Sequence, residues 1–122
     1  MPKTILVIDD DQIIVELSKR ILQDQGFEVM TAGDGRQALV QLGQKIPAMI
    51  LLDVEMPVVN GYTFMLEKSK VPAYAEIPVV VLTSHKETNS LFNRHGVRAY
   101  LSKPLKPQEL KDIVAKVLGP AS

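Results

Sequence analysis

With 122 residues, 46% of them hydrophobic, the chain is long enough to bury the core of one compact domain and too short for a second. Fourteen basic residues balance fourteen acidic ones, which excludes recognition of nucleic acid or an anionic membrane through overall charge. The absence of cysteine excludes disulfides, thiolate zinc sites and thiol nucleophiles, and with no membrane-length apolar run and no signal-peptide pattern a cytoplasmic protein is expected.

The first apolar run, Thr4 to Ile8, reads as a strand that ends in three consecutive acids, Asp9, Asp10 and Asp11. From Gln12 the period changes. Ile14, Leu17 and Ile21 fall on one stripe, and Gly26 is placed to stop an amphipathic helix. Residues 27–32 alternate more weakly, as an edge strand does, and Asp34 is positioned to cap a second helix whose buried face carries Ala38, Leu39 and Leu42.

The run Met49-Ile-Leu-Leu-Asp53 has the continuous apolar character of a strand buried on both faces, and it too ends in a carboxylate. Met56-Pro57 and Asn60-Gly61 then supply turn chemistry, and a helix over about residues 62–70 should bury Phe64 and Met65. Pro72 and Pro78 bracket an expected loop. Val79 to Leu82 is a fourth strand, ending in Thr83 and Ser84. Residues 85–95 are poorly patterned, with Leu91 and Phe92 as the large apolar residues, so a short or irregular helix is expected there, and His85 and His95 read as surface loop residues without companion metal ligands. Ala99 to Ser102 is a fifth strand, ending at Lys103-Pro104. Pro107 opens the clearest helix, with Leu110, Ile113, Val114, Val117 and Leu118 on its stripe and Gly119-Pro120 as its stop.

Five strands alternating with five helices predict an α/β domain built on a doubly wound parallel sheet with right-handed crossovers. In such sheets the chemistry lies beyond the carboxyl ends of the strands. Those ends carry Asp9 and Asp10, Asp53, Thr83 and Ser84, and Lys103. Taken alone, Asp53 could equally be a turn or helix-cap residue, and the three acids after the first strand could merely favour a helix N-terminus, although three exceed what one cap needs. Gathered in one crevice, the carboxylates would repel each other without a cation. The all-oxygen donor set with few protein ligands points to Mg²⁺ rather than Ca²⁺. A hydroxyl and an ammonium opposite them suit phosphoryl oxygens, and Asp53 becomes a plausible nucleophile that forms an acyl phosphate.

The segments Val7-Ile-Asp-Asp10, Asp53-x-x-Met-Pro57 with Gly61, Val81-Leu-Thr-Ser84 and Tyr100-x-x-Lys103-Pro104 together resemble the receiver domains of two-component response regulators, a likeness that runs from Ile5 to Leu118. The resemblance implies a flavodoxin-like sheet of order 2-1-3-4-5 and a single receiver domain over residues 1–122, which is a signalling module and not an enzyme in the ordinary sense. It implies that Asp53 takes a phosphoryl group from a sensor histidine kinase or a histidine phosphotransfer protein. Asp10, Asp53 and the backbone carbonyl of Glu55 would bind Mg²⁺ directly, with Asp9 acting through water. Thr83 and Lys103 would bind the phosphoryl oxygens, and Thr83 with Tyr100 would form a switch that alters a surface for a downstream protein. It also implies a cis Lys103-Pro104 bond. Two departures stand out. The 13 positions from Thr83 to Gly96 are fewer than is usual in the family, and Leu105 follows Pro104 where an aromatic is commoner.

Two other classes compete. A phosphohydrolase of haloacid dehalogenase type carries its nucleophile at the end of the first strand in an Asp-x-Asp pattern, which Asp9 and Asp11 formally meet; the chain is short for one, having no cap domain. A protein-interaction module that never takes phosphate would be expected to have lost site residues, and here each position is filled. The basic C-terminal part, with 7 basic and 3 acidic residues from Thr83 onward, reads as a surface for a protein partner rather than for nucleic acid. Nucleotide binding is excluded by acids where the first turn would need glycines.

Overall fold

The computed structural model describes residues 2–53, 61–84 and 97–121. Five parallel strands, β1 (Thr4–Ile8), β2 (Glu28–Ala32), β3 (Met49–Asp53), β4 (Val79–Thr83) and β5 (Val97–Ser102), form one sheet in the order β2-β1-β3-β4-β5. Among the described residues five helices flank it: α1 (Gln12–Asp24), α2 (Gly35–Gln44), α3 (Gly61–Ser69), α4 (Pro72–Ala75) and α5 (Pro107–Leu118). The doubly wound fold and strand order expected from the sequence are those observed.

The three central strands are buried at every position, whereas the edge strands β2 and β5 are only partly so. Continuous apolar runs are therefore the central strands, because a strand covered by helices on both sides has no polar face. Alternate residues divide between two core layers. Ile5, Val7, Leu51 and Val80 pack with Val15 and Leu22 of α1 and Leu110 and Val114 of α5. Leu6, Ile8, Ile50 and Val81 pack with Ala38 and Leu42 of α2 and Phe64 and Met65 of α3. Phe64 is wholly buried. Phe64→Ala is expected to cost about 3–5 kcal/mol, seen as a lowered urea midpoint with an unchanged slope, because the cavity lies between a helix and the sheet centre where little can collapse into it.

Local chemistry sets the ends of these elements. Asp11 caps α1, its Oδ1 accepting the Ile13 amide at 2.9 Å, and Asp34 caps α2 through the Gln37 amide at 2.8 Å. At the end of α1 the Gly26 amide donates to Gln23 and that of Phe27 to Leu22, with Gly26 at φ 95°, a conformation costly for any residue with a Cβ. Because the Phe27 amide serves the helix end, β2 starts one residue later than the apolar pattern suggests. Leu105, in place of an aromatic, is buried in the core beside Leu110.

Two stretches differ from expectation. The loop expected between Pro72 and Pro78 contains the single-turn helix α4, whose first residue, Pro72, has the φ a helix start needs. Its last carbonyl, that of Ala75, accepts the Lys68 ammonium at 3.2 Å, and burial lowers the pKa of this lysine against the opposing pull of Glu76. β5 begins two residues before Ala99. The register there jumps from Val79 opposite Val97 to Val80 opposite Ala99, leaving Arg98 as an extra residue that breaks the strand period. The helix expected over residues 85–95, with Leu91 and Phe92, and the surface histidines His85 and His95 lie outside the described residues. So do Glu55 and the Met56-Pro57 turn.

Candidate functional site

The strands run in one direction, so their carboxyl ends share one edge of the sheet. Ile8 is opposite Leu52, Asp53 opposite Leu82 and Thr83 opposite Ser102, which brings the residues at those ends side by side. The ladder continues one step past β5: the Lys103 amide donates to the Thr83 carbonyl at 3.1 Å and fixes the lysine beside the threonine. On the other side of the site the Asp9 amide donates to Ala32 at 3.0 Å, tying the end of β1 to β2. The Lys103-Pro104 bond is cis, as expected.

Asp53 and Thr83 are buried, at 2% and 1% exposure, and the Lys103 ammonium stands 3.1 Å from Asp53 Oδ1. Asp9 is buried and Asp10 exposed. Carboxylate oxygens of Asp9, Asp10 and Asp53 all lie within 4.8 Å of one another. The sequence-predicted Asp9, Asp10, Asp53, Thr83 and Lys103 thus meet at one edge. Asp11 does not join them, because its carboxylate is committed to the cap of α1 while its amide donates to Asp9 Oδ1 at 2.9 Å. The Asp-x-Asp pattern therefore supplies one site carboxylate and one helix cap. Tyr100 is half-buried against the core layer of α2 and α3, and burial pushes its phenol above the usual range.

The electrostatics of the cluster are those of a site short of positive charge. Burial, helped by the negative charge of Asp53, pushes Asp9 up to about 7, against the opposing pull of the Asp11 amide and of Lys103. Its Oδ2 is buried and, among the described residues, has no hydrogen-bond partner. An orphaned carboxylate oxygen beside two further carboxylates, with one ammonium among the described residues to offset three acids, fits a hard divalent cation bound through oxygen. A cavity of about 170 Å³ is lined by Asp9 together with Gln12, Thr31 and Gln37. Nothing in the sequence marked it, since its walls come from three separate elements.

A family model described as the response regulator receiver domain matches residues 5–115. The chain belongs to the response regulator receiver family. Receivers are the phosphoacceptor domains of two-component signalling, and that is the functional class of this chain. Response regulator Rre1 of Synechocystis sp. (strain ATCC 27184 / PCC 6803 / Kazusa) is 33% identical over 121 residues, covering 97% of this chain and 52% of the relative. The chain spans about half the length of the curated relatives it matches. Among solved structures, Vibrio cholerae chemotaxis protein CheY4 is 32% identical with a TM-score of 0.91, covering 97% of this chain and all of that one (100%). The receiver domain of sensor histidine kinase PA1611 from Pseudomonas aeruginosa PAO1, 26% identical with a TM-score of 0.87 and covering 98% of this chain and 99% of that one, has a magnesium ion coordinated in its active site cleft. Among the described residues, no helix is long and apolar enough to cross a membrane.

Proposed function

We propose that Asp53 is the phosphoryl acceptor of this receiver and that the donor is the phosphohistidine of a sensor histidine kinase or a histidine phosphotransfer protein. An Asp53 carboxylate oxygen attacks phosphorus, the phosphorus–nitrogen bond breaks, and the imidazole leaves with the electron pair and takes up a proton. Asp9, Asp10, Asp53 and the Glu55 carbonyl would hold Mg²⁺, which when bound supplies positive charge to the phosphoryl oxygens. Lys103 and Thr83 donate to those oxygens from the opposite side. Thr83 drawn toward phosphate, with Tyr100 turning in behind it, would alter the surface read by a downstream protein. The module acts in the cytoplasm, as one receiver domain over residues 1–122, and does not itself contact nucleic acid.

The observation that carries this reading is the setting of Asp53: nearly inaccessible, at the end of a central strand, with an ammonium at 3.1 Å and the carboxylate oxygens of Asp9 and Asp10 within 4.8 Å. Peptide mass spectrometry after incubation with acetyl phosphate and Mg²⁺ is expected to place the added phosphoryl group on Asp53. Label on Asp9 instead would move the chain to the hydrolase class. If the parent chain took no label and the Asp53→Asn chain bound a partner as the parent does, an interaction module that takes no phosphate would be the better description.

A further inference from the structure

β2 stands at one edge of the sheet, so half of its backbone groups have no strand of the sheet to pair with. The Glu28 amide donates to Lys3 at 3.0 Å, and Ala32 accepts the Asp9 amide at 3.0 Å. Glu28, Met30 and Ala32 are thereby turned toward β1, and Val29, Thr31 and Gly33 present their N–H and C=O groups outward. Such an edge invites another strand, and proteins close it with charge, proline or a bulge. The opposite edge has two of these devices in one residue, because the extra residue of β5 is the exposed, charged Arg98. β2 has neither: its register with β1 is unbroken, it contains no proline, and its one charge, Glu28, lies at its first residue.

Two side chains of α2 meet the outward groups instead. The Thr31 carbonyl accepts the Gln41 side-chain amide at 3.0 Å, and the Gly33 amide donates to Gln37 Oε1 at 2.9 Å. Gln37 and Gln41 are about one helical turn apart and share a face. One supplies an acceptor and the other a donor, as the C=O and N–H of a single residue would on a neighbouring parallel strand opposite Ala32. Capping accounts for Gln37, which belongs to the first turn of the helix that Asp34 caps. It does not account for Gln41, whose bond leaves the helix and crosses to the strand.

We propose that Gln41, with Gln37, is a latch that closes the β2 edge against a second copy of this chain. The register of β2 names the occupant. Two copies related by a twofold axis meet antiparallel, and with Met30 opposite Met30 the outward Val29 of one copy lies opposite the outward Thr31 of the other. Glu28 then faces Ala32, so no charge opposes its like, and the half-buried Val29 and Thr31 are β-branched residues that suit a strand pair. This register needs the Thr31 carbonyl of each copy as an acceptor, and Gln41 holds it. The latch does not depend on which residue takes the phosphoryl group.

Sedimentation equilibrium of the whole chain and its variants is the test. Q37A/Q41A is expected to self-associate at least about tenfold more strongly than the parent, and Q41A to move in the same direction by less. Amide hydrogen exchange at Gly33 should quicken by about fivefold or more in Q37A/Q41A. Adding T31P, which removes an outward N–H and leaves the bonds to β1 in place, should return either variant to the association of the parent. Q37E/Q41K keeps an acceptor and a donor and adds charge to the edge, so it should associate no more than the parent. Q41A leaves the start of α2 intact, so its association decides the matter if Q37A/Q41A unfolds. Association unchanged in Q41A and Q37A/Q41A, association that survives T31P, or exchange at Gly33 unchanged by loss of Gln37 would each overturn the latch.

Discussion

Lys103→Met is expected to slow phosphorylation of Asp53 by acetyl phosphate at saturating Mg²⁺ by about a hundredfold or more while leaving Mg²⁺ bound at least as tightly as before. The two effects have opposite signs for one reason. The ammonium stands 3.1 Å from Asp53 and carries positive charge into a space that a divalent cation would share. Removing it lowers the repulsion felt by the metal, so the resting site binds Mg²⁺ no worse. On the proposed reading it would also remove a donor to the phosphoryl oxygens, and the loss of one such prearranged donor typically costs 10²–10³ in rate, roughly 3–4 kcal/mol. The lysine side chain is 25% exposed, so the lower end of that range is expected. Initial rates from phosphoprotein quantification, paired with Mg²⁺ titration of the same protein, decide the matter. If rate and metal affinity fell together, Lys103 would be holding the crevice in shape rather than acting on the phosphoryl group.

The legibility of this molecule follows the reach of each interaction. β1, β3 and β4 were readable to within a residue because an unbroken apolar run has few places to go except the middle of a covered sheet. The rule that parallel strands finish at one edge then brought Asp9, Asp10, Asp53, Thr83 and Lys103 together before any geometry was known. Features that depend on a single turn or a single contact were hidden. Pro72-Ala-Tyr-Ala75 is too short to show a helical period. The extra residue Arg98 interrupts the alternation that would have revealed the start of β5. Lys68 looks like any helix-surface lysine in the sequence, yet it is 1% exposed, because its ammonium reaches the carbonyl that α4 leaves open. The division of labour among Asp9, Asp10 and Asp11 was likewise invisible. It depends on which carboxylate the first turn of α1 takes for its own amides. The orientation of Tyr100 depends on packing across two elements, which no spacing records.

The metal-free chain is expected to lose stability as pH rises from about 5 to 8, contrary to the usual behaviour of a buried carboxylate in an ion pair. The folded-state value of Asp9, about 7, lies above its ordinary value of 3.8, so between these limits the folded chain holds a proton that the unfolded chain has released. Stability from this group is fully present below about 4 and is lost as pH climbs through 7. One pH unit between the folded and unfolded values corresponds to about 1.4 kcal/mol, so the part of the window from pH 5 up to the folded value of about 7 amounts to something on the order of 3 kcal/mol. Mg²⁺ held beside Asp9 would take the place of the proton, so saturating Mg²⁺ should raise the unfolding midpoint strongly at pH 8 and little at pH 5. Asp9→Asn separates the contributions. It removes the charge without changing the volume, so the variant should unfold at a higher temperature than the parent at pH 8 without metal, show a flatter pH profile, and gain much less from Mg²⁺. A parent profile that is flat from pH 5 to 8, or an asparagine variant less stable than the parent at pH 8, would mean that Asp9 is already satisfied in the metal-free chain. The orphaned Oδ2 would then no longer argue for a cation. If the variant is more stable and yet a poorer phosphoacceptor, the crevice at the end of β1 is kept destabilised for the sake of the ion that completes it.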